Sequence, residues 1–186
     1  MRPTEPADRP RTEAELVRRT ARHLETLGYR VYVDPDGTNY FDLVARRGPE
    51  VGLVEAKLNR PRDLLVQALR RRAWGDWVAG VLPSRRAAER LIASTGGRRA
   101  EPVGVWVFEQ GAVSVVRAAR PFALPATGID PFASHRERFR RVLEQIDRGE
   151  LPVGVRWAGL GGELRRASGG RRFSEWRLDE GLPNTD

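Results

Sequence analysis

Cysteine is absent from these 186 residues, and only two histidines and one methionine are present. Without thiols there is neither a disulfide nor a thiolate zinc site, and His23 and His135 are too few to build an imidazole metal centre. Any metal must therefore rest on oxygen ligands. Long apolar runs are missing too: no stretch of about 18 apolar residues occurs, and residues 1–10 lack an apolar leader segment. The expectation is a soluble, cytoplasmic protein with no membrane partner. Lysine is the scarcest charged residue. Of 33 basic residues Lys57 is the sole lysine, the rest being arginine. Guanidinium is a fork that stays protonated, whereas ammonium is a compact donor whose pKa moves on burial, so Lys57 is the first candidate for chemistry.

Lys57 closes the run Val51-Gly-Leu-Val-Glu-Ala-Lys-Leu58. Read as a strand, Val51, Leu53, Glu55 and Lys57 share one face and Gly52, Val54, Ala56 and Leu58 the other. Both faces are apolar until the end, as in a central strand with two charges at its tip. Residues 40–45 read as a neighbouring strand, joined through the turn Arg47-Gly-Pro-Glu50. If Arg46 lies opposite Val51, Asp42 falls opposite Glu55, with Cβ atoms about 4.5–5.5 Å apart on one face. Two facing carboxylates repel unless a cation lies between them. A hard divalent ion suits that place, because Mg2+ uses one or two carboxylates plus waters and phosphate oxygens.

An Asp at the start of one strand, followed by Glu-x-Lys on the next, resembles the PD-(D/E)XK nuclease superfamily of restriction enzymes, Holliday-junction resolvases and RecB-type nucleases. Phe41 stands where the motif's Pro would be. The resemblance implies an α/β, restriction endonuclease-like core, a mixed β-sheet flanked by helices. It also implies metal-dependent hydrolysis of phosphodiester bonds, in DNA first and RNA second, with Mg2+ as cofactor and Mn2+ as substitute. Asp42, Glu55 and the Ala56 carbonyl would be metal ligands and Lys57 a catalytic group. Glu15 would be a further ligand, as a Glu on the first helix is in resolvase-like and RecB-like members. Its local reading is different: Thr12-Glu-Ala-Glu15 is a helix-starting capping box that Glu15 closes. Gln67, on the next helix, falls where related nucleases place a Gln that steadies the substrate phosphate or attacking water, and it also reads as an ordinary polar helix residue. The RecB-type Tyr four positions later is replaced by Arg71. Asp34 and Asp36 are extra carboxylates, or simply the residues that make their turn.

The formal charge is +8, and its excess is local. Residues 60–99 hold 10 Arg against Asp63, Asp76 and Glu89, whereas residues 121–186 hold 11 Arg against 10 acids. Arg60, Arg62, Arg70, Arg71, Arg72, Arg85 and Arg86 are thus candidate phosphate contacts, the alternative being solvated helix faces. Cutting both strands with one site per chain would ask for a homodimer. Two other functions fit the composition: a nucleic-acid-binding protein of this fold without catalysis, and a basic RNA-associated protein without a site.

Along the chain, residues 1–11 read as a disordered arm and 12–120 as the nuclease-like core. In that core a helix after Thr12 stops at Gly28, and strands follow at 29–33, 40–45 and 51–58. A helix at 62–74, a buried strand at 77–82, a helix at 85–94 and a hairpin of 103–108 with 112–116 complete it. Residues 121–131 read as a linker and 132–186 as a smaller, mainly helical extension. Its expected elements are a helix at 132–148, a short one at 157–164 and a closing segment at 171–178.

Overall fold

A computed structural model describes residues 10–34, 41–59, 61–94, 102–122, 124 and 126–151. The protein is α/β. Six strands, β1 (Arg30–Val33), β2 (Leu43–Arg47), β3 (Glu50–Ala56), β4 (Trp77–Leu82), β5 (Gly104–Glu109) and β6 (Ala112–Arg117), form one sheet in sequential order. The four helices are α1 (Glu13–Thr26), α2 (Pro61–Arg71), α3 (Arg85–Ser94) and α4 (Ala133–Asp147). β3, β4 and β5 run parallel and the remaining neighbours antiparallel. Parallel neighbours need a crossover, which α2 and α3 supply.

Alternation sorts the core into two layers. Leu43, Ala45, Val54 and Ala56 meet Leu16, Val17, Ala21 and Leu24 of α1 on one side. Val44, Val51 and Leu53 point the other way, to Leu64, Leu65 and Ala68 of α2, Leu91 of α3 and Phe139 of α4. Every residue of β4 is buried, as its lack of polar positions requires. Gly80 lets α2 come close: a Cβ there would lie 1.9 Å from Leu64 Cδ2.

Several boundaries differ from expectation for local reasons. The Thr12 hydroxyl accepts the Glu15 N–H at 3.1 Å, but the Glu15 carboxylate accepts from the N–H of Arg11, at 2.8 Å, so the capping box closes one residue early. α2 stops at Arg71, not Trp74, because the N–H groups of Arg72 and Trp74 bond three residues back, to Leu69 and Arg71. β2 and β3 are offset from the expected strands, and β3 ends at Ala56, whose N–H goes to the Asp42 carboxylate. The β5–β6 hairpin turns through Gln110 and Gly111, both at positive φ, which suits the twist of paired strands.

The proposed break at 121–131 does not set α4 apart. Phe139 and Leu143 are fully buried in the same core as Val44 and Leu64, and the Phe139 ring stacks on Phe41 with centroids 5.2 Å apart. Arg46 of β2 forks to Glu144 and Asp147, each at 3.1 Å. An amphipathic helix after a proline-rich stretch looks like an appendage in sequence, yet its apolar stripe is the lid of the main core. The elements expected at 157–164 and 171–178, and residues 1–9 of the expected arm, lie outside the described residues. Among the described residues no helix is long and apolar enough to cross a membrane.

Candidate functional site

The register supposed from the sequence is present: Arg46 lies opposite Val51 and Leu43 opposite Val54. Continuing that ladder by one pair sets Asp42 against Glu55. Asp42 directly precedes β2, half-buried, with its Oδ2 accepting the Ala56 N–H at 2.8 Å. Its backbone is tied on the other side too, where the Asp34 N–H reaches the Asp42 carbonyl at 3.3 Å. Asp34 is therefore a backbone neighbour of Asp42, at a positive φ of 42°, and Asp36 lies outside the described residues.

Glu55 is buried, 2% exposed, and its Oε1 receives the Nε–H of Arg71 at 2.7 Å. Burial pushes its carboxyl up to about 8; Arg71 pulls it down, Asp42 pushes it up and Lys57 pulls it down again. Removing a carboxylate from water disfavours the bare anion, so the environment raises its demand for any cation, proton or metal. Arg71, grouped by sequence with the phosphate contacts, is 6% exposed and turned toward the sheet. Its charge serves Glu55. The sequence signal was its spacing, because Leu64, Ala68 and Arg71 form one buried stripe of α2.

Lys57 lies one residue past β3, its N–H still reaching the Val81 carbonyl of β4 at 3.1 Å. Its Nζ is 3.2 Å from Oε2 of Glu13, whose Oε1 also accepts the Leu58 N–H at 3.4 Å. Glu13 was not singled out from the sequence. It extends the buried stripe Leu16, Val17, Thr20, Ala21 and Leu24 by one turn, whereas Glu15 sits about 200° around the helix from it. Glu15 is bound to Arg11 N–H and to Arg19 at 2.7 Å, and those partners hold its carboxyl below the ordinary range. The first-helix carboxylate that meets the end of β3 is Glu13, and Glu15 faces elsewhere.

Gln67 lies on α2 one turn before Arg71, with its Oε1 buried and, among the described residues, without a hydrogen-bond partner. Arg62, Arg85 and Arg86 are exposed; Arg70 and Arg72 are half-buried, the latter over the Phe132 ring at 5.3 Å. Arg60 lies outside the described residues. Among the described residues no group of three or more His, Asp or Glu side chains is gathered to hold a metal. A metal at Asp42 and Glu55 would therefore use two carboxylates, the Ala56 carbonyl and water. That oxygen-only set, with the orphaned Gln67 Oε1 on the covering helix, fits a hard divalent ion.

No protein-family model matches the chain. No curated protein matches it in sequence either. Among solved structures it is similar to a protein of unknown function from Silicibacter pomeroyi, with a TM-score of 0.46 and 15% sequence identity over 74% of this chain and 92% of that one.

Proposed function

We propose that this chain is a metal-dependent phosphodiesterase of the PD-(D/E)XK type, an endonuclease with DNA as its first candidate substrate and RNA as its second. The observation that supports this most is the β2–β3 register, which aligns Asp42 with Glu55 at the strand end where the lone lysine follows. Asp42, Glu55 and the Ala56 carbonyl would hold Mg2+, or Mn2+ in its place. Such an ion, when bound, lowers the pKa of a water ligand and polarises a phosphodiester oxygen. Lys57, half-buried and steadied by Glu13, offers an ammonium to the negative charge that grows on the phosphoryl oxygens. Gln67 adds a buried acceptor on the helix that covers Glu55. The exposed Arg62, Arg85 and Arg86 suit backbone phosphates, contacts that position a duplex without reading its sequence.

The test uses the full chain with supercoiled plasmid, single-stranded DNA, branched DNA and RNA, each with Mg2+, Mn2+ or chelator. Cutting is expected only with metal, reduced about 10²–10³-fold in Lys57→Ala, the usual cost of removing one transition-state donor. Equal behaviour of wild type and Lys57→Ala across all substrates removes the catalytic assignment. A second reading, a nucleic-acid-binding protein on this fold without catalysis, is favoured by the Arg71–Glu55 pair, which balances the buried carboxylate without a metal. It predicts salt-sensitive binding that is indifferent to divalent ions.

A further inference from the structure

We infer that Arg71 is the resident counter-cation of this site, which a divalent ion must displace from Glu55 in order to bind, so that Arg71 sets the metal threshold. The inference rests on the metal-site reading above. Its first support is geometric. Arg71 Nε lies 2.7 Å from Glu55 Oε1, with both side chains almost fully removed from water. A buried carboxylate deprived of its partner is strongly unfavourable, so the metal-free protein keeps the guanidinium there. A metal and a guanidinium that claim the same carboxylate compete, both for its lone pairs and as like charges at close range.

The second support is the device for release. Arg71 is the last residue of α2, followed by a tight turn, so its backbone has no further helix to carry with it. Gln67 lies four residues earlier, the spacing at which helix side chains meet. Its Oε1 is buried with no partner among the described residues. A guanidinium leaving Glu55 finds in that amide oxygen an acceptor one helical turn away. The third support is the charge around Glu55. Asp42 adds a second carboxylate across the strands, while the ammonium of Lys57 is engaged with Glu13. Among the described residues Arg71 is thus the cation in direct contact with Glu55, and withdrawing it leaves two carboxylates to be answered by a divalent ion.

The experiment is calorimetric titration of the full chain with Mn2+, together with melting curves with and without Mn2+. Variants are Arg71→Gln, Gln67→Leu and Asp42→Asn. Arg71→Gln is expected to bind Mn2+ roughly tenfold more tightly than wild type, the low end of what one neighbouring charge does to a carboxylate. It should also melt lower without metal and gain more from Mn2+ than wild type does. Gln67→Leu is expected to bind Mn2+ more weakly, and Asp42→Asn to lose binding. Wild-type binding with equal or weaker binding by Arg71→Gln overturns this inference and leaves the metal site standing. Absence of Mn2+ binding in wild type and Arg71→Gln alike, or binding that survives Asp42→Asn, overturns the metal-site reading and this inference with it. Should Arg71→Gln fail to fold, Arg71→Lys keeps the charge without the fork; a smaller gain in affinity supports the inference, and no gain overturns it.

Discussion

Arg46 near one end of β2 and Asp42 just before the other lie on the same side of the sheet, and the two ends are completed in opposite ways. At one end Arg46 forks to Glu144 and Asp147, and Asp147 also accepts from the Tyr32 hydroxyl at 2.5 Å and pairs with Arg30 at 2.8 Å. At the other end Asp42 and Glu55 stand in register, Arg71 answers Glu55, Lys57 is drawn to Glu13, and an amide oxygen on α2 has no partner among the described residues. The first cluster matches donors to acceptors across β1, β2 and α4 and so fastens a helix. The second leaves opposite charges poised around a carboxylate that burial makes receptive to cations. Matched charge fastens the fold; incompletely matched charge, kept in place by the rest of the fold, is the feature that makes the second end a candidate site.

Four measurements would break or sharpen that contrast. Phe139→Ala, which empties the centre of the α4 contact, should cost about 3–5 kcal/mol in denaturant unfolding. A near-neutral result would return α4 to the status of an appendage. Lys57→Ala should lower cleavage about 10²–10³-fold while leaving the melting temperature close to that of wild type. A large stability loss there would make the lysine a structural group. Arg46→Ala should do the reverse: about 1.5–3 kcal/mol less stable, the range for hydrogen bonds to charged groups, with cleavage per folded molecule unchanged. The smallest effect is the alkaline limb of stability. Burial and then donation to Asp147 raise the Tyr32 hydroxyl to about 12. Its contribution should be complete below the unfolded value near 10 and be lost as pH rises through about 12. Tyr32→Phe should flatten that limb at a cost of roughly 0.5–1.5 kcal/mol at neutral pH; an unchanged limb would remove Tyr32 from the clamp.

Much of this was legible before any coordinates. The buried run 77–82, the Thr12 cap and the Gly28 stop all carry local signals, and the predicted pairing of Arg46 with Val51 is the one observed. What escaped was the facing of particular charges. Glu13 and Glu15 are both acids in the first turn of α1, and only the helical stripe separates the one that reaches Lys57 from the one that turns to Arg19. Arg71 reads as a surface residue because arginine is seldom buried, although it continues the apolar positions Leu64 and Ala68. Prolines at 121 and 131 mark a break in the backbone, which says nothing about where the next apolar stripe docks, and α4 docks on the main core.

The sequence by itself determined the alternation of the strands, and with it the alignment of Asp42 with Glu55, because period, turn and register are short-range properties of the chain. The tertiary structure alone decided which cation meets which carboxylate. That choice depends on how α1, α2 and α4 pack on the sheet, and packing joins residues far apart in the chain whose pairing no local pattern encodes.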